Sequence, residues 1–175
     1  MLGVNDFIGY YDWTFHFLQR NFGQEALEKY WEEAIAKDAL RPFFDAIADK
    51  GIVAMAEHWA YSAIGEECDC HICFSADYFR YDMHGCPSLG FVLKRGKCYY
   101  GDYCTHCMGW IKHVLANGGW KAWHEHNHRG QCWIEIRRKD DPGPPSEPGE
   151  LAGQRDVRLR KDWPGGEHHY ITPQE

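Results

Sequence analysis

The first 139 residues contain no long apolar run, no basic tract and only two prolines, Pro42 and Pro87, and each shortage excludes something. The longest nearly uncharged segment, residues 51–65, is shorter than the roughly 20 residues a bilayer needs and carries Glu57 and His58. A membrane span is therefore not expected. The opening Met-Leu-Gly-Val-Asn-Asp has no apolar core of the kind a secretory signal requires. Acids outnumber bases, 26 Asp and Glu against 19 Lys and Arg, and the net charge of -7 argues against nucleic acid as a partner. The one basic cluster, Arg137, Arg138 and Lys139, is followed at once by Asp140 and Asp141 and reads as a solvated strand end. With no export signal in view, the eight cysteines are expected as thiols, metal ligands or catalytic groups in a reducing cytoplasm rather than as disulfides.

What is present is enough for one core. The chain has 175 residues, 44% hydrophobic and 15% aromatic. From Asn5 to Arg20, Phe7, Tyr10, Tyr11, Phe17 and Leu18 recur at helical spacing, and Gly23 offers a left-handed stop. Leu27, Tyr30, Trp31, Ala34 and Ile35 repeat the pattern from Gln24 to Asp38. Pro42 opens a third helix that buries Phe43, Phe44 and Ile47, and a fourth from Ile52 to Ile64 buries Ile52, Met55, Trp59, Ala60 and Ile64.

After Gly65 the period changes to that of strands. Glu66 to Phe74 and Tyr78 to Cys86 form one expected hairpin, with Cys68, Cys70, Ile72 and Phe74 on one face and Asp69, His71 and Cys73 on the other. Pro87 starts a short helix, Asp102 is the expected N-cap of a helix running to Asn117, and Trp120 to Asn127 and Gln131 to Arg138 make a second hairpin. The fold class is α+β: a helical N-terminal half followed by an antiparallel sheet of two β-hairpins with intervening helices. Residues 1–139 form this single domain. Six of the eight prolines lie beyond it, and residues 140–175 read as an irregular tail that adds little to the fold, pinned by Trp163 or Tyr170, or wrapped over the domain or a neighbouring subunit. His168 and His169 are expected at its surface.

Residues 101–136 concentrate the soft ligands: Cys104, Cys107 and Cys132, with His106, His113, His124, His126 and His128. Two residues past the expected cap, Cys104 would feel the helix macrodipole and free N–H groups, which favour a thiolate. Cys107 lies one turn on. A Cys-x-x-Cys at a helix start fits redox chemistry, a metal site, one nucleophile with a neighbour, or two small residues packed against a sheet. His124 and His126 alternate on one strand face, so Cys104, Cys107, His124 and His126 together could offer two thiolates and two imidazoles to zinc or iron. Cys86, before Pro87 at a strand-to-helix junction, is either a thiol supported by backbone N–H groups or a buried strand end.

Cys86-Pro87, then Gly101-Asp102-Tyr103-Cys104-Thr105-His106-Cys107, then Gly130-Gln131-Cys132-Trp133, with Gly65-Glu66-Glu67 closing the helical half, resemble the L-2-amino-thiazoline-4-carboxylic acid hydrolase family over residues 5–138. The resemblance implies a small α+β domain that hydrolyses a cyclic amidine-like C–N/C–S centre. The His-x-His-x-His run and Cys68-x-Cys70-x-x-Cys73 stand as additions to that pattern. In such a reaction a thiolate or activated water attacks the electrophilic ring carbon, with Cys104 as expected nucleophile, His126 or His106 as proton carrier, and Cys86 as a supporting or resolving thiol. The alternative is a metal-binding or iron–sulfur protein using the same Cys/His cluster, catalytic or not. The expected partner is a small-molecule substrate, and the composition is compatible with a homo-oligomer.

Overall fold

The computed structural model describes residues 4–96, 98–150 and 155–163. It has α1 at Val4–Phe22, α2 at Gln24–Lys29, α3 at Arg41–Lys50 and α4 at Ile52–Gly65. Strands β1, Asp69–Phe74, and β2, Tyr78–Gly85, lead into α5, Pro87–Lys94, and α6, Thr105–Asn117. Strands β3, Trp120–His126, and β4, Cys132–Arg138, complete the order. The four strands form one antiparallel sheet, β1-β2-β4-β3. The expected α+β class is what the chain adopts. No described helix is long and apolar enough to cross a membrane.

Alternation along the strands builds two buried faces. Phe79, Tyr81, Met83, Ile134 and Ile136 point toward the helices and pack with Ile47, Ile52, Met55, Ile111, Val114 and Leu115. In a two-layer domain the opposite residues, Arg80, Asp82, Trp133 and Glu135, would be wet. All four are buried, Arg80 with 0% exposure. Chain beyond Asp140 covers them. Asp156 accepts a hydrogen bond from Arg80, and the Ser146 N–H reaches both Glu135 oxygens at 3.1 and 3.0 Å. The guanidinium of Arg158 lies 3.9 Å from the centre of the Trp133 ring, and that of Arg80 lies 4.9 Å from it. The expectation that the tail adds little to the fold is therefore corrected: residues 140–150 and 155–163 are a third layer. Composition misled because proline prevents regular structure but not side-chain burial. Tyr170, His168 and His169 lie outside the described residues.

Two helices depart from the expected period. On α1 the buried residues are Ile8, Asp12 and Phe15, while Phe7, Tyr10 and Phe17 are exposed, with Trp13 and Phe17 stacked on the outer side. After α2 the chain continues as a π-helical segment, Tyr30–Ala39, closed by Leu40 N–H donating to the Ile35 carbonyl at 2.8 Å. The wider turn keeps Trp31 and Ile35 inside, as expected, and adds Ala36, while the expected Tyr30 and Ala34 are only partly buried. Trp31 then lies so close to Gly109 on α6 that an added Cβ would stand 2.4 Å from its ring. That contact seats α6. On α4, Ile64 is 79% exposed rather than buried, since the chain turns away at its last residues.

Asp156 supplies charge to Arg80 from a position 76 residues later. Asp156→Ala leaves a buried guanidinium short of a counter-ion, and a loss of about 3–5 kcal/mol of unfolding free energy is expected in urea titration. A change below about 1 kcal/mol, the range of a solvent-exposed pair, would mean that the third layer is not anchored through this charge.

Candidate active site

Helix α6 starts later than its sequence implies. Asp102 holds the entering turn through its backbone carbonyl, which accepts from Thr105 N–H at 3.1 Å and from Thr105 Oγ1 at 2.7 Å. Its carboxylate faces away from the helix start, 3.6 Å from His126 Nε2. Cys104 is thus the cap residue itself, with αR backbone angles, and packs with Ile8, Leu89, Val92 and Tyr103. Its expected place inside the first helical turn is corrected. Asp12 on α1, fully buried, receives Tyr99 N–H at 3.1 Å and Tyr100 N–H at 2.9 Å and so fixes the loop that delivers α6. Gly130, with φ 81, turns the second hairpin and receives the Cys86 N–H at 2.7 Å.

The first turn of α6 carries a thiol and an imidazole in contact. His106 Nδ1 bonds the Tyr103 carbonyl, and Cys107 Sγ is 3.4 Å from His106 Nε2. A carbonyl only accepts, so Nδ1 carries the proton and Nε2 is left as acceptor for the Cys107 S–H. Burial lowers the His106 pKa to about 4, and burial, with Cys86 and Glu66 adding to it, pushes the Cys107 thiol far above its usual range. The resting pair is neutral.

Both residues line a partly open cavity of about 320 Å³ between α1, α4, α6 and the sheet. Its walls are largely aromatic, with Tyr11, Trp59, Tyr81 and Trp110, and its polar groups include Glu66, Ser62, Ser88 and His58. A second chamber of about 40 Å³ lies behind, lined by Cys86, Cys104, Cys107, Cys132 and His124. Cys86 and Cys107 belong to both walls. Cys86 Sγ accepts Leu89 N–H at 3.4 Å, yet burial still raises its pKa. Burial likewise raises Cys132, and takes Cys68 to about 12.

The residues singled out from the sequence divide clearly. Cys86, Cys104, Cys107, Cys132, His106, His124 and His126 gather at one end of the sheet. His124 and His126 stack at 4.9 Å on its helix-facing side, as their spacing implies. Cys73 lies on the opposite face across from Arg80, His113 is 4.0 Å from Glu32 on another side of α6, and His128 is exposed in the turn. Among the described residues no group of three or more His, Cys, Asp or Glu is placed to hold a metal ion. The set Cys104, Cys107, His124 and His126, expected for zinc or iron, is not brought together as ligands in this arrangement: His126 lies 3.6 Å from Asp102, while Cys107 faces His106. No disulfide joins the described cysteines. Sequence reading missed Glu66, His58 and the pairing of His106 with Cys107. Adjacent helical residues point about 100° apart, so their contact depends on rotamers that no spacing rule reports. No family model, curated protein or solved structure matches the chain.

His58 stacks on Phe43 with ring centres 4.0 Å apart, and burial lowers its pKa from 6.5 to about 4. The unfolded chain therefore binds more protons than the folded one between those values, so acidification through that window removes stability. His58→Phe keeps the stack and is expected to flatten the fall in melting temperature from pH 6.5 to 4. An unchanged slope would show that His58 does not carry this proton linkage.

Proposed function

We propose that the chain is a thiol-dependent hydrolase that opens a C–N or C–S bond at the amidine-like carbon of a small cyclic molecule, with Cys107 as nucleophile and His106 as its base. The observation that carries this reading is His106 held between the Tyr103 carbonyl and the Cys107 thiol at the wall of a partly open cavity. A base oriented by a third group against a nucleophile is the arrangement covalent catalysis requires. The resemblance of the Cys86-Pro87, Gly101–Cys107 and Gly130–Trp133 motifs to the amino-thiazoline carboxylate hydrolases supports the same reaction class.

The step balances. Cys107 gives its proton to His106 Nε2 as Sγ bonds to the electrophilic carbon. The imidazolium returns that proton to the nitrogen or sulfur that leaves, and water, deprotonated by the restored His106, releases the thioester-like adduct. Separating charge in this buried pair is costly, so proton transfer accompanies attack rather than preceding it. The nucleophile expected from the sequence, Cys104, takes a supporting place in the rear chamber with Cys86. His126, buried with its Nε2 3.6 Å from the Asp102 carboxylate, stands beside this pair as a second imidazole.

Hydrolysis of 2-aminothiazoline derivatives, followed by the thiol or ammonia released, tests the assignment. His106→Ala is expected to cost about 10²- to 10⁴-fold in kcat, the usual weight of a general base. Cys107→Ala abolishes turnover, and Cys104→Ala stays within about tenfold of wild type, as loss of a neighbouring packing group does. Turnover that survives in Cys107→Ala but not in Cys104→Ala would reverse the two roles.

A further inference from the structure

The large cavity has an unbalanced charge. None of its lining residues is Lys or Arg, and its one carboxylate is Glu66. Its two imidazoles do not compensate, since burial holds both His58 and His106 near pKa 4 and hence uncharged at neutral pH. Glu66 caps the C-terminal end of α4, where the helix dipole is itself negative. Among the described residues no Lys, Arg or His pairs with its carboxylate, whereas the buried Asp82, Glu135 and Asp156 each hold an Arg and the buried Asp12 holds backbone N–H groups. Partial burial raises the Glu66 pKa, as expected for a carboxylate with few partners to replace its hydration.

We infer that this cavity takes a planar monocation, an amidinium or guanidinium that bears no carboxylate, with Glu66 as its counter-ion and the Tyr11, Trp59 and Trp110 rings as its stacking walls. The volume, about 320 Å³, suits a small heterocycle. Flat delocalised cations gain from aromatic faces and from a carboxylate that can accept two parallel N–H bonds. A ligand carrying its own carboxylate would set a second negative charge into a low-dielectric space that offers it no cation. The inference rests on the hydrolase reading only for the chemistry after binding. It also supplies that reading with a trigger. The charge of Glu66 opposes ionisation of Cys107 and Cys86, and a bound cation offsets it at the moment the thiol is needed.

Calorimetric titration of Cys107→Ala protein with 2-aminothiazoline and with 2-aminothiazoline-4-carboxylate tests the inference without turnover. The cation is expected to bind at least about tenfold more tightly than its carboxylate counterpart, as loss of a paired charge implies. Glu66→Gln removes most of that preference, whereas Glu66→Asp keeps it. Equal or tighter binding of the carboxylate, or cation affinity unchanged within about twofold in Glu66→Gln, overturns the cation site. If the cation binds through Glu66 but wild-type protein returns it unhydrolysed, the hydrolase reading fails and the cation site stands.

Discussion

A guanidinium with no access to water sets the terms for this fold. Moving an Arg out of solvent costs several kcal/mol unless counter-charges and hydrogen bonds replace its hydration. Arg80, in the middle of β2, finds Asp82 two residues along its own strand, with bonds of 2.8 to 3.2 Å, Glu135 across the β2–β4 pairing at 3.8 Å, and Asp156 from the far end of the chain. Only the last of these closes the face. The C-terminal segment is thus held by charge on one side of the sheet while the other side is free to be apolar, and the helices dock there. Cys70, Met83, Cys132 and His126 follow one another across the strands on that apolar side, which carries half of the candidate site.

The other half depends on where α6 begins. Three contacts distant in sequence place it: Trp31 against Gly109, Asp12 under the Tyr99 and Tyr100 amides, and the Gly130 carbonyl on Cys86. The first exists because the preceding helix widens into a π turn, an element seen often at functional sites. A regular helix would turn Tyr30 and Ala34 inward beside Trp31 and Ile35 and leave Ala36 out.

Element type and order were legible in the sequence because period, glycine stops and turn residues are local signals. Strands β2 and β4, the turn at residues 128–130 and the shared face of His124 and His126 all follow from them. Side choice on α1 was not legible. Its outer side is as aromatic as its inner side, and the residue that decides, Asp12, is polar and buried for backbone hydrogen bonds that only the folded loop provides. The third layer failed to register for a similar reason. Asp82, Glu135 and Arg80 read as the wet side of an antiparallel strand, and nothing nearby announces that Asp156 and Ser146 return to cover them. The cysteines were legible as a cluster, but their chemistry was not, since it turns on burial and rotamer rather than spacing.

That chemistry is governed by neutrality at rest. A thiol at a helix start is expected to ionise, but here burial outweighs the backbone donors, as Cys86 shows with two N–H groups in reach and its pKa still raised. Cys107, Cys132 and Cys68 raise the cost further, because each thiolate formed would disfavour the next. Alkylation and oxidation both need the thiolate, so the same burial disfavours them. In the proposed reaction the cluster becomes reactive when positive charge arrives beside Glu66 while His106 is placed to take the proton. Selectivity and activation then share one cause. On the proposed reading, a ligand without positive charge leaves Glu66 opposing the nucleophile, and a ligand with it removes the opposition as it binds.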